Sequence, residues 1–229
     1  VSTEAEHVRE MELDKVEVFL GRNFATGFYA WLIPKEEEKA KVGLAAKRED
    51  PERLLKNFML KHPLASKKLR TAKILQPVYH PITLGGPTPK PYSDGFLAVG
   101  DAASQVKPTT GGGIIVGLTC ASVAAEVAHE ALEQGEFSAK FLSTYKERCD
   151  EKLGFDASFM LRMRKMFDAL SDRQMDSAIG FCKRLRLEKV LQKMEDVDFQ
   201  GRAFLHALGN PKTLAAFGYF LYLYFSANP

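Results

Sequence analysis

A chain of 229 residues with 45% hydrophobic content is long enough to bury a sizeable core in one or two domains. Its formal net charge of +3, with bases scattered among acids, argues against a nucleic-acid partner. Three cysteines without a CxxC spacing, and five dispersed histidines, argue against a disulfide framework or a metal site and for a reducing, cytoplasmic setting.

The opening VSTEAEHVRE is polar and has no signal-peptide core. The chain starts at Val1 rather than Met, which leaves a fragment of a longer protein as an open reading. The segments DKVEVFLG, TGFYAWLIP and KAKVGLAAK then alternate apolar with polar residues between short breaks. That pattern predicts an antiparallel meander with one covered face. The run KEEEK at Lys35–Lys39 suits a solvated hairpin tip. Asp50 to His62 reads as a helix, with Asp50 as cap, Pro51 at its first position, and Leu54, Leu55, Phe58 and Met59 on one face. The prolines of AKILQPVYHPITL fit an extended edge. The basic stretch KHPLASKKLR suits either a soluble surface or contact with anionic headgroups.

Asp94 to Gly100 (DGFLAVG) is a short apolar strand that ends in Gly-Asp. A helix from about Gly112 to Gln134 follows, stopped by Gly135, with small residues (Gly117, Ala121, Ala124, Ala125, Ala128) suited to close packing on a sheet. From SAKFLSTYKERCDEKLG onward the pattern is helical, and a Gly209-Asn210-Pro211 turn leads into the aromatic stretch LAAFGYFLYLYF. That stretch suits a buried core helix, a membrane-surface contact or the wall of an apolar channel. It is too short to span a bilayer, and no transmembrane helix is expected.

The stretch GDAASQVKPTTGGG, residues 100–113, has a legible chemistry. Glycines at the mouth of a helix let a ligand approach the backbone and leave N–H groups free. The helix dipole there favours negative charge. Asp101 can accept hydrogen bonds from the hydroxyls of a sugar or ribityl chain, and Pro108 stiffens the loop. By pattern alone, glycine clusters also mark tight turns.

GFLAVGDAASQVKPTTGGGIIVGL resembles the second flavin-binding motif of FAD-dependent oxidoreductases with the p-hydroxybenzoate hydroxylase fold, and in this form the geranylgeranyl reductase family. The resemblance implies that Asp101 binds the ribityl hydroxyls, with Pro108, Gly111, Gly112, Gly113 and Ile114 around the flavin. YAWLIPKEEEKAKVGLA resembles that family's substrate-domain motif through Tyr29, Trp31, Pro34 and Gly43, which would line an isoprenoid cavity. Ile33 stands in place of a Phe and Ala45 in place of a second Gly. Without the family, Tyr29 and Trp31 read as cross-strand aromatics covering a sheet face.

The resemblance implies an α+β chain in three parts. These are an antiparallel substrate-domain sheet over 1–92, the second half of an FAD-binding domain over 93–136, and a helical C-terminal region over 137–229. No GxGxxG turn occurs in these residues. The resemblance therefore implies the C-terminal portion of a longer flavoprotein, with the ADP half of FAD held by a separate N-terminal segment or subunit, and only weak FAD binding by this chain alone. The implied activity is reduction of carbon–carbon double bonds in geranylgeranyl or other isoprenoid lipids by reduced FAD. No catalytic proton donor stands out. Peripheral membrane contact fits a lipid substrate. A monooxygenase, halogenase or quinone-linked dehydrogenase of the same fold is the first alternative, and a non-catalytic lipid-binding remnant the second. Outside the motifs, Cys120 is expected to pack as a small hydrophobe and His80 to sit at a sheet edge.

Overall fold

Small and bulky apolar residues at every second position give the first part of the chain a sheet with one greasy face. The computed structural model describes residues 1–47, 49–194 and 198–227. Its chain divides into two compact units, Val1–Pro81 and Ile82–Pro229. The class is α+β, helices with an antiparallel sheet.

The first unit holds strands β1 (Ser2–Glu6), β2 (Glu17–Leu20), β3 (Tyr29–Glu36), β4 (Lys39–Leu44) and β5 (Lys73–Ile74), with helices α1 (Pro51–Lys61) and α2 (Ala65–Leu69). The strand order is β2-β3-β4-β1-β5, with antiparallel pairs throughout. The expected meander is β2-β3-β4. The polar opening STEAE was not expected as a strand, yet β1 pairs with β4 along its length. Only its alternate residues Thr3 and Ala5 are buried, so its composition hides its role. Conversely, the proline-rich stretch after residue 72 pairs only at Lys73–Ile74 and at one bridge, Ser2 to Val78.

Ala30, Leu32, Ala40, Val42 and Leu44 of β3 and β4 are fully buried, and Leu54, Leu55, Phe58 and Met59 of α1 join the same cluster. Phe19 of β2 meets Phe58 edge to face at 5.1 Å. Asp50 caps α1 by accepting a hydrogen bond from the Glu52 N–H. After α1 the His62 ring takes over as a cap: its Nδ1 accepts from the Leu64 and Ala65 N–H groups, each at 3.2 Å, and so starts α2.

The second unit opens with a hairpin, β6 (Tyr92–Ser93) and β7 (Phe96–Leu97), turned at Gly95 in the left-handed region. Helix α3 (Ile114–Gln134) ends at Gly135, also left-handed. It packs on the long helix α4 (Ala139–Ala169) through Cys120, Val123, Val127, Ala131, Leu142, Tyr145 and Leu153. The small residues expected to meet a sheet do not all face inward: Ala124 is buried, while Ala121 and Ala125 are exposed. Among the described residues α3 alone is long and apolar enough to cross a membrane. Helices α5 (Asp172–Leu185), α6 (Glu188–Leu191), α7 (Gln200–Ala207) and α8 (Pro211–Ala227) complete the unit. In α8, Phe220 and Leu223 are buried in a cluster with Leu170 and Ala178, whereas Leu214, Tyr222 and Phe225 are exposed.

Buried charge is placed with care. Asp156 of α4 is 1% exposed, and its Oδ1 accepts from the Arg202 N–H at 3.0 Å. It thereby caps α7, whose own cap residue Phe199 offers no side-chain acceptor. The Arg202 guanidinium lies 3.3 Å from Oδ2. Gly201 makes the approach feasible, because a Cβ there would sit 3.0 Å from Oδ1.

Candidate functional site

The candidate residues fall into two sets, one in each unit. In the first unit, alternation sends Val18, Leu20, Tyr29, Trp31 and Ile33 to the sheet face that α1 does not cover. Val18 pairs with Trp31 and Leu20 with Tyr29, and both β2 residues are exposed. Phe28 stacks on Tyr29 with ring centres 4.3 Å apart, and Tyr29 meets Trp31 edge to face at 5.8 Å.

Trp31 pairs with Gly43 across β3 and β4, and its ring lies over that glycine. A Cβ on residue 43 would come within 2.5 Å of the indole Cζ2. Glycine is therefore what lets the indole lie flat across the neighbouring strand. Pro34 has the opposite parity: it pairs with Ala40, beyond Leu32 and Val42 on the covered side. The strand thus brings Tyr29, Trp31 and Gly43 together and sends Pro34 elsewhere. Val18, Leu20 and Phe28 widen the same surface, and the alternation of β2 against β3 was the sequence signal for the first two.

In the second unit, Val99 is extended, Gly100 turns left-handed, and residues Gly100–Ala103 make a short 3-10 turn. Nothing lies within 4 Å of where a Cβ on Gly100 would stand, so the conformation (φ +69°) and not crowding requires glycine. Asp101 is exposed in that turn, and its Oδ1 lies against Gly113, where a Cβ would sit 3.0 Å away. The Lys107 N–H donates to the Gly112 carbonyl and the Gly111 N–H to the Lys107 carbonyl, closing the glycine-rich end of the loop. Pro108 is fully buried.

At the start of α3 the cap position belongs to Gly113, no side chain caps the helix, and no acidic residue lies in its first turn. The leading N–H groups keep their positive potential. Ile114, Ile115 and Leu118 are exposed beside them, Ile114 at 79%. Such an arrangement suits a ligand with a flat apolar body and a negative or hydroxylated edge.

Several residues with no sequence signal hold this loop. Gln105 clasps Gly100 twice: its N–H donates to the Gly100 carbonyl, and its Oε1 accepts from the Gly100 N–H at 2.7 Å. Its Nε2 donates to the Tyr145 hydroxyl at 2.6 Å, and that hydroxyl donates to the Ala98 carbonyl at 3.0 Å. Burial pushes the Tyr145 phenol up to about 12. Lys107 pairs with Asp198, Thr109 with Gln200, and Arg164 reaches the Pro108 carbonyl at 3.5 Å. Arg164 also pairs with Asp168, one turn along α4, at 3.0 Å.

Known proteins are similar to this chain in both of its units. The model of the geranylgeranyl reductase catalytic domain matches residues 2–79, nearly the whole first unit. Digeranylgeranylglycerophospholipid reductase 2 of Methanopyrus kandleri is 34% identical over 73% of this chain and 44% of its own length. The reductase 2 of Methanothermobacter thermautotrophicus is 35% identical over 74% of this chain and 43% of its own. The chain belongs to the geranylgeranyl reductase family. A further member of the family, from Methanococcus aeolicus, aligns over 93% of this chain at 30% identity. The chain spans about half the length of the curated relatives it matches. A geranylgeranyl bacteriochlorophyll reductase-like structure from Thermoplasma acidophilum shares the fold, with a TM-score of 0.73 at 22% identity over 96% of this chain and 53% of that one.

Proposed function

We propose that this chain is the substrate and flavin-ring half of an FAD-dependent reductase of carbon–carbon double bonds in geranylgeranyl lipids. The observation that carries the proposal is the pairing of two features in one chain of this family. One is an open aromatic sheet face built on Trp31 and Gly43. The other is a helix mouth with no side-chain cap beside an exposed carboxylate.

Flavin adenine dinucleotide fits the residues at that mouth. The Asp101 carboxylate would accept hydrogen bonds from ribityl hydroxyls. Gly111, Gly112 and Gly113 would let the ring edge approach the backbone, Ile114 would pack on its apolar body, and buried Pro108 would keep the loop in shape. The uncapped N–H groups of α3 favour negative charge at that edge. When bound, the reduced cofactor supplies hydride to an alkene carbon. A segment outside these residues, carrying a GxGxxG turn, would hold the ADP end in this reading.

Tyr29, Trp31 and Phe28, with Val18 and Leu20, offer an aromatic and apolar strip to a polyprenyl chain. Pro34 would act through the bend of β3 and not by contact, since its parity differs from that of Trp31. The work assigned to these side chains is to hold the chain in one place and exclude water. The names of the relatives support a glycerophospholipid bearing geranylgeranyl chains as the substrate.

The test is anaerobic incubation of the full-length protein and reduced FAD with such a lipid, followed by mass spectrometry. Gains of two hydrogens per double bond are expected. An unchanged lipid mass there, together with flavin oxidation stimulated by an aromatic compound in a separate aerobic assay, would overturn the reductase reading in favour of a hydroxylase.

A further inference from the structure

The basic stretch KHPLASKKLR, residues 61–70, plays no part in either candidate site. From Arg53 to Lys73 the sequence carries seven Lys and Arg residues and no Asp or Glu. Three of the seven are spent on acids from elsewhere in the first unit: Arg53 on Glu49, Lys68 on Glu17 and Lys73 on Glu6. Lys56, Lys61, Lys67 and Arg70 are exposed and, among the described residues, stand in no ion pair.

Apolar side chains stand among these cations. Helix α1 buries Leu54, Leu55, Phe58 and Met59, and its outer side runs from Lys56 to Leu60, one turn on and 41% exposed. The chain then turns through Pro63 into α2, and Leu64 stands at the corner, 60% exposed, between Lys61 and Lys67 in sequence. The corner is built. The His62 ring packs near Phe19 and Phe24, at 5.0 and 4.9 Å between centres, while its Nδ1 accepts from the Leu64 and Ala65 N–H groups. The ring that starts α2 therefore also fixes the backbone of Leu64, with its side chain in the open.

We propose that the α1–α2 corner docks the protein on an anionic bilayer surface, with Leu60, Pro63 and Leu64 entering the headgroup layer and Lys56, Lys61, Lys67 and Arg70 meeting lipid phosphates. Charge complementarity carries the choice of occupant. Unpaired cations in a stretch without an acid suit a surface of uniform negative charge, where each adds to the attraction. The aliphatic tip decides between a membrane and a nucleic acid. A phosphate backbone offers nothing to Leu64, and single strands are held by bases stacked on exposed rings. Here the rings at the corner, Phe58 and His62, pack against each other and against Phe19. Lysine stems can lie along the apolar tip while their ammonium groups reach the phosphates. Because His62 already orders the corner, little conformational freedom is lost on docking. This inference stands independently of the reductase reading, since binding is read without flavin or substrate lipid.

The test is flotation of the full-length protein with vesicles of phosphatidylcholine alone, or of equal parts phosphatidylcholine and phosphatidylglycerol. Binding is expected to the anionic vesicles only, and it should weaken steeply as salt rises. Combining Lys56→Gln, Lys61→Gln and Lys67→Gln should lower affinity about a hundredfold, at about fivefold per lysine. Leu64→Gln should lower it about fivefold and leave the salt dependence unchanged. The same charge change at the exposed Lys183, Lys189 and Lys193 of the second unit should leave binding as it is. Each variant should keep the wild-type denaturation midpoint, because the replaced side chains are exposed. No binding to the anionic vesicles, equal binding to neutral ones, full binding by the corner variant, or a matching loss in the second-unit variant would overturn the proposal. So would release by inorganic phosphate beyond that by chloride at equal ionic strength, which marks a free-phosphate site, or tighter binding to single-stranded RNA than to the vesicles.

Discussion

Phe58, Leu32, Val42 and Leu44 fill the interior of the first unit as a plain apolar cluster, whereas the second unit carries Tyr145, Gln105, Asp156 and Arg164 into its interior. Each of those polar side chains is spent on backbone: Tyr145 on Ala98, Gln105 on Gly100, Asp156 on Arg202, and Arg164 on Pro108. The first unit needs a stiff platform for one open sheet face, and apolar burial supplies it. The second must hold an irregular glycine-rich loop whose backbone groups have no ladder to join, so side chains from α4 and α7 provide the partners.

If that contrast is sound, substitutions of equal burial should fail differently in the two units. The largest loss is expected from Phe58→Ala, which empties the centre of the first core and should cost about 3–5 kcal/mol in chemical denaturation. Asp156→Ala removes the acceptor that starts α7, and should cost about 1–3 kcal/mol, less than a buried pair would because Arg202 is half exposed and can turn to water. Tyr145→Phe should cost about 1 kcal/mol while leaving the apolar packing intact. If its loss instead matched that of Phe58→Ala, the second unit would rest on packing and not on its polar stitching.

Two smaller effects sharpen the account of the first unit. Burial lowers the pKa of His62, and its neutral ring accepts two N–H bonds. A lowered value in the fold means that this contribution is complete above the unfolded value, about 6.5, and is lost as pH falls through the folded one. Denaturation midpoints should therefore drop on going from neutral to mildly acidic pH, and His62→Gln should flatten that part of the profile. Gly43→Ala should also lower stability, because its Cβ would meet the Val1 carbonyl oxygen at 2.8 Å as well as the indole. It should displace the indole of Trp31, the one tryptophan in the chain, and so shift its fluorescence.

Most of the apolar framework was legible in the sequence. The buried face of α1, its Asp50 cap, the strands β2 to β4 and the Gly135 stop follow from period and cap chemistry that act within a few residues. β1 was not legible, since only two of its five residues are buried and the rest are polar. Nor were the bolts of the 100–113 loop, because Tyr145, Arg164, Asp198 and Gln200 lie far along the chain and resemble ordinary helix residues. The motif residues Asp101, Gly113, Trp31 and Gly43 stood out through the resemblance to a family's motifs, and not through period or burial. Pro34 could be found but not assigned a face, because parity is fixed only once the register with β4 is known.

The most direct test separates the two regions in one experiment on the full-length protein, scoring bound flavin and lipid reduction for Asp101→Ala and Trp31→Ala. The account predicts that Asp101→Ala loses flavin and, with it, reduction. Trp31→Ala should keep its flavin and lose reduction of the geranylgeranyl chains. Full flavin content in Asp101→Ala, or undiminished lipid reduction in Trp31→Ala, would contradict it.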